Sequence, residues 1–238
     1  MKRQLLVVAA TLLALGVLAV PADSRAGIAL FEYAFNIDGT VSNPPGGDPV
    51  PPEVNLSGFD TDTGLGQITA KIRNTGSGTV DSFFDVFFDI DIDENLNTFF
   101  NEYGAAHGTP APGQSWEIDE PGYVFGDIYD NFAAGTLDNS NGVPQGSEDD
   151  VSMALGWDFA LQPHYSAQIR VSVSDVAPVG VDFYLQQTDP DSPADIYLWG
   201  ELAVRPDQVV PEPASMLIWT LLPGFGLAAR WWRRKPTG

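Results

Sequence analysis

The chain has 238 residues, with 32 acidic and 11 basic side chains, a net charge of −21 and no cysteine. That excludes disulfides, thiolate nucleophiles and Cys-bound metals. It also argues against nucleic acid as a partner, because recognition of phosphates needs Lys and Arg. Hydrophobic content of 44%, with 24 Gly and 19 Pro, describes a folded chain with many turns. The charge is uneven. Residues 27–210 hold four bases (Lys71, Arg73, Arg170 and Arg205) against thirty acids, and the other bases lie at the two ends.

The N-terminus runs MKR, then an uncharged apolar stretch Leu5–Val20, then small-residue exits at Ala22 and Ala26. That order is a cleavable secretory signal peptide over 1–26. At about 16 residues the apolar run is shorter than the roughly 20 that a spanning helix needs.

The body, 27–205, reads as one acidic domain. Ile28–Ile37, Leu65–Asn74, Val151–Phe159, Ala167–Val173, Val181–Leu185 and Ile196–Val204 alternate apolar and polar residues, the period-two pattern of half-buried strands. Thr79–Ile92 is the longest such run. It sets Phe84, Val86, Phe88, Ile90 and Ile92 on one face and Asp81, Asp85, Asp89 and Asp91 on the other, with Phe83 and Phe87 among the acids. A 14-residue strand would span about 46 Å, so a bulge, a bend or an early end is expected. Gly/Pro-rich turns separate the runs at 43–53, 74–78, 107–113, 138–146, 177–180 and 188–195. A short helix is expected within 94–104 or 127–135. Short strands joined by such turns predict an all-β fold, an antiparallel β-sandwich of about 7–10 strands.

The stretch from Asp91 to Glu102 follows the calcium-loop pattern D-x-[DN]-x-[DN]-G-x5-E at all but one position. Asp91, Asp93 and Asn95 take the first ligand positions, Asn97 offers a backbone carbonyl, and Glu102 stands where a bidentate carboxylate closes the site. Leu96 replaces the turn glycine and a strand precedes the loop, so an EF-hand proper is not expected. A looser Ca²⁺ loop is, with Asp89 joining from the face of Asp91. The bland alternative makes these acids a solvated strand face. Glu148-Asp149-Asp150 forms a second acidic group just before a strand; a ligand set is one reading of it, and a solvated turn is the better one. Tyr197 and Trp199 alternate with Ile196, Leu198 and Leu202, which places the two rings on an outer face. There they would make a stacking platform for sugars, and Trp116 and Trp157 read as core. No G-x-S-x-G elbow, H-E-x-x-H pair or phosphate loop occurs, so no catalytic residue is assigned.

Residues 206–213 form a linker. An uncharged segment, 214–229, then reads as a transmembrane-like sorting helix of about 24 Å, short for a hydrocarbon core of about 30 Å. The tail 230–238 carries a basic stop of Arg230, Arg233, Arg234 and Lys235 that reads as cytoplasmic.

Pro211-Glu212-Pro213, the apolar segment and the basic cluster together resemble the PEP-CTERM sorting signal of Gram-negative bacteria. The resemblance covers about 28 residues. With the signal peptide, it implies export by the Sec machinery, transient residence in the inner membrane, and recognition by exosortase with removal of the tail. It further implies release to, or attachment at, the cell surface or extracellular matrix, often among exopolysaccharide and biofilm. The phrases FDIDIDEN, GQSWEIDEPGYVFGDIYDNF and GVPQGSEDDVSMALGWDF resemble a secreted β-domain found with such tails, which implies a fold and no activity. The expected function is a structural or adhesive surface protein that binds Ca²⁺ and associates with exopolysaccharide or with itself. The alternatives are a carbohydrate-binding module and, third, a secreted glycosidase.

Overall fold

A computed structural model describes residues 27–94, 97–122 and 124–207. The signal peptide, the PEP motif with its sorting helix and basic stop, and Asn95 of the loop lie outside the described residues. No helix among the described residues is long and apolar enough to cross a membrane.

Two antiparallel sheets form the body. The first takes β1 (Ile28–Ile37), β2 (Thr40–Ser42), β5 (Val80–Ile92), β7 (Gln114–Asp119) and β8 (Ser152–Leu161), in the order β2-β1-β5-β8-β7. The second takes β3 (Val54–Phe59), β4 (Gly66–Arg73), β6 (Tyr103–Gly108), β9 (Tyr165–Ser174), β10 (Phe183–Thr188) and β11 (Asp195–Pro206), in the order β3-β4-β9-β11-β10-β6. The eleven strands among the described residues exceed the expected 7–10. The additions are short: β2, β3, β6 and β7 are 3 to 6 residues long and adjoin the Gly/Pro-rich turns at 43–53 and 107–113. β6 reaches Gly108, inside the segment expected to turn at 107–113.

The alternating residues interdigitate between the sheets. Phe84, Val86, Phe88, Ile90 and Ile92 of β5 join Met153, Leu155 and Trp157 of β8 from one side and Ile169, Val171, Leu185, Ile196 and Leu198 from the other. Gly200 is the small inward position on β11. A Cβ there would lie 2.7 Å from both the Arg170 carbonyl oxygen and the Trp157 ring, so the indole occupies the space a side chain would need.

β5 runs unbroken for 13 residues, longer than expected. The irregularity falls on its partner. Leu30 pairs with Ile90 and Glu32 with Asp89, which leaves Phe31 as the extra residue of a bulge in β1. From Asp85 onward the outer face of β5 is covered rather than solvated. A helix, α1 (Ile128–Ala134), lies across it, with Ile128 and Phe132 packed on Phe87, Ala34 and Ala154. The helix falls within the expected 127–135 window, and a single 3-10 turn occupies Phe99–Asn101. The buried Asn36 of β1 donates to the Phe132 and Ala133 carbonyls at 2.7 and 3.0 Å, joining the Gly135 N–H on the first and tying the last turn of the helix to the sheet. Gly135, at φ 70°, ends the helix in the left-handed conformation.

Candidate metal centre

α1 covers the middle of the first sheet, and the acids of β5 sit beneath and beside it. Asp85, Asp89 and Asp91 are 4%, 3% and 8% exposed, so the solvated-face reading does not hold for these three, while Asp81 at the start of the strand is exposed. Burial is costly for a carboxylate unless it is paired or protonated.

Asp89 pairs across the sheet with Ser152 of β8. The chain entering β8 therefore carries Asp150 alongside Asp91. Carboxylate oxygens of Asp89, Asp91 and Asp150 all lie within 4.8 Å of one another. Two oxygens each about 2.4 Å from one Ca²⁺ can be at most about 4.8 Å apart, so the spacing suits a single ion. The three line a cleft of about 170 Å³ with Phe31, Glu94 and Phe99. Asp89 Oδ1 is closed off from solvent and has no hydrogen-bond partner.

The electrostatics follow from this crowding. Burial, then the charges of Asp150 and Asp91, push Asp89 up to about 8. Burial and Asp91 raise Asp150 to about 7. Burial and Glu94 raise Asp91 to about 6. A divalent cation would reverse each of these penalties, and an oxygen-only donor set favours a hard ion such as Ca²⁺ over Zn²⁺.

The remaining loop residues point elsewhere. Asp93, at φ 57°, accepts from the Gly27 N–H. Asn97 donates its amide to Asp189 Oδ2 at 2.6 Å. Glu102 is fully buried; it accepts from the Ile92 N–H at 2.9 Å and from the Gln187 amide, and burial pushes it up to about 9. Of the expected set, the fold gathers Asp89 and Asp91 and adds Asp150, while Asp93, Asn97 and Glu102 serve as internal ties of the loop. Asp150 was visible only as part of an acidic turn. What brings it in is the β5–β8 register, which sequence spacing does not contain.

A second carboxylate group, Glu117, Asp119 and Asp127, was not singled out by sequence. Both oxygens of Glu117 are already taken, by the Asn131 amide at 2.9 Å and the Asp138 N–H at 3.1 Å, and Asp119 Oδ2 accepts from the Asp127 N–H. This group ties the segment bearing α1 to β7.

Tyr197 and Trp199 lie half-buried on the outer face of the second sheet. His107 stacks on Tyr184 and bonds Gln186, while His164 closes a turn at φ 63°. Compared with protein-family models, curated proteins and solved structures, the chain matches none.

Proposed function

We propose that the chain is an exported surface or matrix protein with a structural or adhesive role, and that Asp89, Asp91 and Asp150 hold a Ca²⁺ ion that braces its acidic layer. The observation that carries the metal reading is Asp89, a nearly fully buried carboxylate in a three-carboxylate cleft with one oxygen left without a partner. The export reading rests on the two ends of the sequence: signal peptide, PEP triplet, apolar segment and basic stop. On this reading exosortase and the Sec machinery are partners of the precursor, and the 27–205 body is the working part.

The ion would neutralise carboxylates drawn from β5 and from the turn before β8, linking residues some sixty positions apart. Its binding free energy would add directly to the stability of the folded state. At a hundredfold excess over its dissociation constant the gain is about 2.7 kcal/mol, or about 5–10 °C for a domain of this size. Calorimetry and thermal melting of the purified protein check this. A saturable Ca²⁺ heat and a rise in Tm are expected, both absent in Asp89→Asn and Asp150→Asn. No heat and no shift at millimolar Ca²⁺ would end the metal reading.

A further inference from the structure

The outer face of the second sheet gathers two features side by side. The first is positive charge. All four bases of the described chain lie on it: Lys71 and Arg73 on β4, Arg170 on β9 and Arg205 on β11. The register aligns them in rows, with Arg73 and Arg205 both opposite Ser166, and Arg170 between Thr69 and Glu201. Asp207 holds Lys71 at 2.7 Å and Arg73 at 3.4 Å, and Glu201 holds Arg170 at 2.7 Å. These pairs are solvent-accessible, so they are weak and exchangeable. Arg205 makes no ion pair among the described residues. Lys71, Arg170 and Arg205 border a shallow groove of about 460 Å³ that crosses β4, β9 and β11, with Glu53 and Glu201 also on its lining, so bases outnumber acids there by three to two.

The second feature is a row of rings. His107 stacks on Tyr184 with centroids 4.7 Å apart, and Tyr184 meets Tyr197 edge-on at 5.9 Å. Trp199 follows two residues along the same face. A chain of hydrogen bonds locks these rings. The Tyr197 hydroxyl donates to Asp195 Oδ2 at 3.1 Å, and the Thr188 hydroxyl to Asp195 Oδ1 at 2.6 Å. The Gln186 amide donates to Thr188 at 3.1 Å, and its oxygen meets His107 Nε2 at 2.9 Å. Rings fixed before a ligand arrives lose little entropy when it binds. From Tyr197 to Arg205 is about 26 Å along β11, room for several sugar rings.

We propose that this face binds an acidic polysaccharide, its pyranose rings stacking on Tyr197 and Trp199 and its carboxylates meeting Arg170 and Arg205. Charge selects the occupant. In a domain with thirty acids and four bases, a polyanion can approach only where the bases are gathered. The metal centre plays no part, since it lies on the other sheet.

The test uses the full chain in a detergent without sugar headgroups, with EDTA present, so that loss of Ca²⁺ cannot be mistaken for loss of this surface. Polygalacturonate is the probe, and its methyl ester is the neutral control. Binding of the acid form is expected, weakened by salt and about tenfold or more tighter than the ester. Trp199→Ala and Arg205→Gln should each weaken it by about tenfold or more with Tm unchanged. Asp89→Asn should bind like the wild type. Arg205 is exposed, so its variant keeps the test sound if Trp199→Ala fails to fold. Equal binding of acid and ester overturns the proposal, and so does wild-type affinity in both variants. Self-association that Arg205→Gln abolishes, without polygalacturonate binding, would make the occupant the acidic layer of a second copy and overturn it too.

Discussion

Asp85 tests whether the covered acidic face costs the fold stability. It sits on the outer face of β5, opposite Asn36 on one side and Gly156 on the other, and it is 4% exposed. Gly156 makes room for it: a Cβ there would lie 2.2 Å from Asp85 Oδ1. Asp85 Oδ2 is buried without a partner. Burial, and secondarily the charge of Asp158, push the carboxyl from 3.8 to about 8. The folded state therefore holds a proton that the unfolded state releases. Stability from this group is complete below about pH 4 and is lost progressively as pH rises to about 8. A shift of about four units at 1.36 kcal/mol each makes the loss about 5 kcal/mol above pH 8 and about 4 kcal/mol at pH 7. Asp85→Asn keeps the shape and removes the titration. Urea unfolding of both proteins between pH 4 and 9, with chelator present, reads the difference. The variant should gain on the wild type steadily from about pH 4 to about pH 8 and then level off. The amide's own hydrogen bonding shifts its whole curve by a constant, so the slope is the diagnostic quantity. Parallel curves for the two proteins would refute the assignment of Asp85 as a buried neutral acid.

Two packing predictions accompany it. Phe132→Ala, which empties the contact between α1 and Phe87, should cost about 3–5 kcal/mol in urea unfolding; a loss under about 1 kcal/mol would mean that α1 is not anchored there. Gly200→Ala presses a methyl group against Trp157 and the Arg170 carbonyl and should cost about 1–3 kcal/mol, with a changed near-UV signal from the indole; wild-type stability would show that the sheets yield at that point.

The site divides between what was readable and what was not. Asp89 and Asp91 stood out because two carboxylates two residues apart on a strand must share a face. Glu102 also stood out, by its spacing from Asp91, but spacing in a loop does not say which way a side chain turns. It turned inward because the Ile92 N–H and the Gln187 amide offered it hydrogen bonds there. Asp150 went unrecognised as a neighbour because strand register is set by core packing between β5 and β8, not by local sequence.

Period-two alternation by itself determined the all-β class, the long strands and the inner face of each, because a strand between water and a core must alternate. The same alternation marks the second face only as different. It cannot say whether water or another segment lies against it. For β5 the tertiary structure decided, laying α1 across the first sheet and burying acids that composition alone would leave in solvent. For the second sheet it decided the reverse. It brought bases scattered from residue 71 to residue 205 onto one open face, because β4, β9 and β11 are neighbours in the sheet though distant in the chain.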